Sequence, residues 1–188
     1  DVEHSVKTML CPLTNNTAFR SNYSTVIKSI ELFPEDPLKF TMHAKKLHVE
    51  NKFVFSELYL QQKDIWDPNA ILDEISFENL HSKDFDKYIV TEQLIEFFND
   101  FNKDDFSYIP HLLQGLGAYQ VTDWEKGQYI IIERKNDWWG KSDTSIYNTS
   151  FPDKIIFKII TDKVSVELAL KNETIDVSTA IDTKTLMD

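Results

Sequence analysis

At 188 residues the chain is long enough for one domain or one and a half, and 41% apolar with 13% aromatic residues can build a core. A formal charge of −11 argues against a nucleic-acid surface, because phosphate binding rests on Lys and Arg neutralising backbone charge. The single cysteine, Cys11, cannot form an internal disulfide, and no apolar run approaches the ~20 residues of a membrane-spanning helix.

In chain order, Val2, Val6, Met9 and Leu10 recur at helical spacing, with Asp1 and Glu3 at the end where the macrodipole favours negative charge. Pro12 ends that helix. The polar, Asn-rich run over 13–24 reads as a loop. A hairpin follows over 25–33 and 38–46, turning at Pro34, Glu35, Asp36 and Pro37. Val26, Ile30 and Leu32 share one face of it, and Phe40, Met42 and Ala44 share a face of the return strand. Residues 49–60 read as helix and 65–68 as extended. Asp67 or Asp73 caps a short helix over 70–75, with Pro68 suited to a first helical position. Tyr88, Ile89, Thr91, Leu94, Ile95, Phe98 and Phe101 recur at threes and fours, which predicts one helix over 85–101.

The second half is more regular. Gly115 and Gly117 bracket Leu116 in a tight turn where backbone freedom or close approach is expected. A GxG without a third Gly and a following helix is no dinucleotide fingerprint. Tyr119, Val121 and Asp123 alternate with Gln120, Thr122 and Trp124 as in a half-buried strand. Glu125, Lys126 and Gly127 form the hairpin loop. The return strand over 128–134 carries Tyr129 and three isoleucines, suited to a sheet covered on both faces. Asn136 and Asp137 close it, and Trp138 and Trp139 pack back. Residues 154–160 form a further strand. Asp162 caps a helix bearing Val164, Val166, Leu168, Ala169 and Leu170, and Asn172 is the left-handed residue after it. Ile175, Asp176 and Val177 begin a new strand, completing a right-handed strand–helix–strand crossover. Another helix is expected over 181–187. The fold class is α/β, in a mixed α+β arrangement.

Three blocks in this half carry a family resemblance. The turn Gly115-Leu116-Gly117-Ala118-Tyr119 is similar to a GTGPY-like turn, without its Thr and Pro. Glu133-Arg134-Lys135-Asn136-Asp137-Trp138-Trp139-Gly140 is similar to an ERNPDYWG-like block, with Trp138 for Tyr and no Pro. Ala169-Leu170-Lys171-Asn172-Glu173-Thr174-Ile175-Asp176-Val177 is similar to an ALKNGEIDVA-like segment, with Glu173 for Gly. In this order and spacing, over about 110–180, the chain resembles the extracytoplasmic solute-binding proteins of peptide and nickel ABC importers, family 5.

The resemblance implies a fragment of the first lobe of a type II periplasmic-binding-protein-like fold, with a hairpin and a crossover in one mixed sheet. Residues 1–110 would be a small subdomain of that lobe and 111–188 part of its main α/β subdomain, the second lobe lying outside this chain. It implies a short peptide or similar small solute held between lobes and handed to an ABC permease. It implies no cofactor, a monomer, and an extracytoplasmic location, in the periplasm or as a membrane-anchored lipoprotein. With half a cleft, the chain alone is expected to bind that solute weakly or not at all. The family-motif framework is Gly115, Gly117, Tyr119, Glu133, Arg134, Asp137, Trp139, Gly140 and Asp176; ligand contacts do not carry over. The alternative readings are a solute-binding-like sensory or interaction domain of a regulator and, third, a hydrolase.

Other sites are weaker. His4, His43, His48, His81 and His111 are scattered without metal-ligand spacing, so no metal is expected. No G-x-S-x-G elbow marks a nucleophile, so no catalytic residue is assigned. Trp124, Trp138 and Trp139 could stack on a ligand, but aromatics after a strand more often pack as structure.

Overall fold

Helix α1 (Val2–Leu10) forms where the apolar spacing predicts it and buries Val6 and Leu10. Cys11 leaves it in extended backbone (φ −61°, ψ 131°), as a residue before proline does. The computed structural model describes residues 1–103, 108–145 and 149–179, which fall in two units, Asp1–Gly115 and Leu116–Asp188. The helix expected over 181–187 lies outside the described residues.

In the first unit, the Asn-rich run expected as loop is helical instead: α2 spans Thr17–Val26. Its Asn, Ser and Thr residues are weak helix formers, so propensity gives little sign of it. Asn16 caps it by accepting from the Phe19 amide at 3.3 Å, and Tyr23 is buried with its hydroxyl donating to the Glu57 carbonyl at 3.0 Å. The hairpin is present as antiparallel strands β1 (Ile27–Leu32) and β2 (Phe40–Ala44). A register shift between Ile27 and Ser29 breaks the alternation, so Ile27 and Ile30 are both buried while Leu32 is 51% exposed. The expected shared face of Val26, Ile30 and Leu32 is corrected accordingly.

The helix expected over 49–60 contracts to α3 (Asn51–Ser56). The 65–68 stretch is not simply extended, since it contains the end of a single helical turn, α4 (Lys63–Trp66). Pro68 opens no helix. The short helix expected over 70–75 is a 3-10 turn, Ile71–Glu74, entered through Ala70 in left-handed backbone (φ 54°). Ser76 caps α5 (Phe77–Leu80) in a reciprocal box with Asn79, which stands where Glu or Gln is usual. The single helix expected over 85–101 is two, α6 (Phe85–Tyr88) and α7 (Glu92–Phe101). Thr91 lies in extended backbone (ψ 160°), and its hydroxyl accepts from the Leu94 amide at 3.2 Å. It starts a new helix instead of continuing the old one. Leu94 and Phe98 then join Val6, Leu10, Ile27 and Leu72 in one core. Each such side chain contributes about 1.5–3 kcal/mol on burial.

In the second unit, β3 (Tyr119–Glu125) and β4 (Tyr129–Arg134) pair around Gly127, whose φ of 76° is the left-handed value the hairpin loop needs. β5 (Lys154–Lys158) joins the other edge of β4, also antiparallel, giving the order β3-β4-β5. Asp162 caps α8 (Lys163–Lys171), its carboxylate accepting from the Ser165 amide at 2.7 Å. The left-handed residue after α8 is Glu173 (φ 56°), not Asn172. Around it Thr174 N–H donates to the Ala169 carbonyl at 2.8 Å and Glu173 N–H to that of Leu170 at 3.0 Å, a Schellman turn.

The crossover and the mixed sheet are not formed among the described residues. Among the described residues every strand pairing is antiparallel, and Ile175, Asp176 and Val177 join no ladder. A strand exists through its hydrogen-bonded partner, and a three-residue apolar run specifies none. The strand and helix of the expected unit are there; its closing strand is not.

Candidate functional site

Residues 65–75 and helix α7 of the first unit enclose a groove of about 900 Å³. That lies within the ~300–1,000 Å³ usual for small-ligand pockets. Its wall is fixed by Asp67, which is buried: one carboxylate oxygen accepts from the Ile71 amide at 2.8 Å, the other from the Leu72 amide at 2.9 Å. Lys7 on α1 braces the same turn, donating to the Leu72 carbonyl at 3.0 Å while pairing with Glu3 at 2.8 Å. Trp66 meets Phe101 edge-on at 5.6 Å between centroids, and Phe97 stacks on Phe101 at 6.1 Å, giving the groove an aromatic side.

Its polar lining is one-signed. Asp67, Glu74, Glu96 and Asp100 line it, and among the described residues no Lys, Arg or His does. Asp67 is committed to backbone amides and Asp100 to an ion pair with Lys103. The side chains of Glu74, Glu96, Asn69 and Gln93 make no hydrogen bond or ion pair within the described residues. The groove is assembled from separate stretches and its acids are unremarkable among 31 Asp and Glu, so no local sequence signal marks it.

Behind this wall sits His4, 2% exposed, its Nδ1 3.9 Å from an Asp67 oxygen. Neither ring nitrogen has a hydrogen-bond partner among the described residues. Burial holds its pKa down to about 4, outweighing the opposing pull of Asp67, so the ring is neutral at neutral pH. Cys11 is buried too, and burial pushes its thiol up to about 12, which leaves no thiolate for nucleophilic chemistry. His43 contacts Glu31 and His48 contacts Glu50, both at the surface. Among the described residues no group of three or more His, Cys, Asp or Glu is placed to hold a metal.

The framework residues of the second unit lie around the three-stranded sheet. Trp138 and Trp139 both donate their indole N–H to the Leu116 carbonyl, at 2.8 and 2.9 Å, tying the Gly turn to the Trp-Trp-Gly block. Gly140 is buried, and a Cβ there would stand 2.6 Å from the Trp138 ring, so glycine is the residue that fits. Tyr119 donates its hydroxyl to the Pro152 carbonyl at 2.8 Å. Arg134 donates to the Ser150 carbonyl at 2.7 Å and pairs with Asp153, while Glu133 pairs with Lys154 at 3.5 Å. Gly115 and Gly117 have no left-handed φ and open space where a Cβ would stand, so neither expected reason for glycine holds there. Asp137 is exposed in the turn after β4, Trp139 is 74% exposed, and Asp176 is exposed in irregular backbone after α8.

The whole of residues 1–188 matches the family model described as Bacterial extracellular solute-binding proteins, family 5 Middle, so the chain belongs to that family. The family is one of binding proteins, not of enzymes. No curated protein matches the chain in sequence. Among solved structures it is similar to the oligopeptide-binding protein of Thermus thermophilus complexed with a pentapeptide (17% identity, TM-score 0.58). It is also similar to the ABC transporter substrate-binding protein CtaP of Listeria monocytogenes (18%, TM-score 0.57). A third is NikZ of Campylobacter jejuni in complex with Ni(L-His) (20%, TM-score 0.54). Each match covers 93% of this chain but only 27%, 28% and 26% of the respective relative. The fold is therefore a mixed α/β arrangement matching part of a periplasmic-binding-protein fold.

Proposed function

We propose that this chain is part of the substrate-binding component of an ABC importer, one that takes a short peptide or similar small solute into a cleft between two lobes. Residues 1–110 serve as a small subdomain of the first lobe, and residues 111–188 contribute part of that lobe's main α/β subdomain. The solute passes to a membrane permease, and the protein works outside the cytoplasm as a monomer. The observation that carries the reading is the family match along the full 188 residues, supported by relatives crystallised with peptides. The Leu116–Trp138–Trp139 tie and the Arg134–Asp153 pair are then braces of the lobe, with ligand contacts lying elsewhere. Binding works by a population shift toward the closed form, so affinity depends on both lobes.

The test is calorimetric titration of the whole protein with uncharged tri- to pentapeptides. Saturable binding, stronger than about 100 µM for at least one sequence, is expected. Failure across peptides and histidine-chelated nickel alike would contradict the reading.

A further inference from the structure

We infer that the groove between residues 65–75 and helix α7 is itself a binding site, and that its ligand is a short peptide bearing Arg or Lys beside an apolar residue. This goes beyond the interlobe reading, since every lining residue belongs to the first unit. The volume of about 900 Å³ admits a ligand of a few residues. Phe97 and Phe101 offer a flat apolar side, and aromatic faces also attract guanidinium and ammonium groups. Glu74 and Glu96 supply uncommitted negative charge, and no cation among the described lining residues neutralises it. Asn69 and Gln93 have donors and acceptors free for a peptide backbone. An anionic ligand would meet the unpaired carboxylates of Glu74 and Glu96 with no cation among the described lining residues, and a wholly apolar one would leave that charge unanswered. A cationic peptide satisfies both sets. The wall needs no rearrangement to receive it, because Asp67 and Lys7 already hold residues 71 and 72 in place.

The experiment titrates the protein at low salt with the tripeptide amide Arg-Phe-Arg and with its uncharged citrulline-Phe-citrulline analogue. The parent and the double variant Glu74→Gln, Glu96→Gln are compared; both positions are exposed, and circular dichroism confirms that the variant folds. The cationic peptide is expected to bind at least about tenfold more tightly than its analogue, and to lose about tenfold in the double variant. Raising the salt should weaken it, as exposed charge pairs are screened. No saturation below about 1 mM, equal binding of the two peptides, or unchanged binding in the double variant would each overturn the inference. An uncharged peptide held between lobes is indifferent to these two substitutions, so this site and the interlobe reading fail separately.

Discussion

His4 is a histidine kept neutral by its surroundings. Its folded pKa is depressed from the usual 6.5 to about 4 by burial, beside Asp67 and within reach of Lys63 and Asp73. Below pH 6.5 the unfolded chain takes up a proton there that the folded chain refuses. Stability is therefore complete above pH 6.5 and is lost as pH falls toward 4, by on the order of 3 kcal/mol in total. In urea unfolding, His4→Leu should lose less stability between pH 7 and 4.5 than the parent does. Equal losses would mean that the ring titrates normally in the fold. Glu173 is the opposite case, a charged residue in left-handed backbone where the resembling segment has glycine. Glu173→Gly should raise stability by about 0.5–1 kcal/mol, measured by thermal melting, because glycine adopts that conformation without strain. Gly140→Ala should cost about 1–3 kcal/mol and shift tryptophan emission, since the added carbon collides with the Trp138 ring held by its bond to Leu116.

At the level of elements, the sequence was most legible where chemistry is local. The 119–134 hairpin follows from its strand-like runs and Gly127, and α8 from Asp162 and its apolar spacing. A register shift between Val121 and Asp123 breaks the expected alternation of β3, so that Trp124 and not Asp123 is half-buried with Tyr119 and Val121. The sequence was least legible where packing or capping decides. Helix α2 rests on Tyr23 and the Asn16 cap against weak propensity. The break before α7 was hidden because Thr91 fits the helical spacing it interrupts. The run at 175–177 has strand-like residues without a strand partner. The groove was illegible altogether, being made of distant stretches that meet through Trp66 against Phe101. Thr91→Ala removes the hydroxyl that receives the Leu94 amide and should cost about 1 kcal/mol in chemical denaturation. An unchanged midpoint would show that packing of Leu94 and Phe98 alone sets the start of α7.

At the level of the whole molecule, the family match spans this chain while the chain spans only 26–28% of the structures it resembles. The most direct measurement is small-angle scattering from the whole protein with and without a saturating uncharged peptide. The radius of gyration should fall as the lobes close on the ligand. Saturable binding with superimposable scattering curves would contradict it.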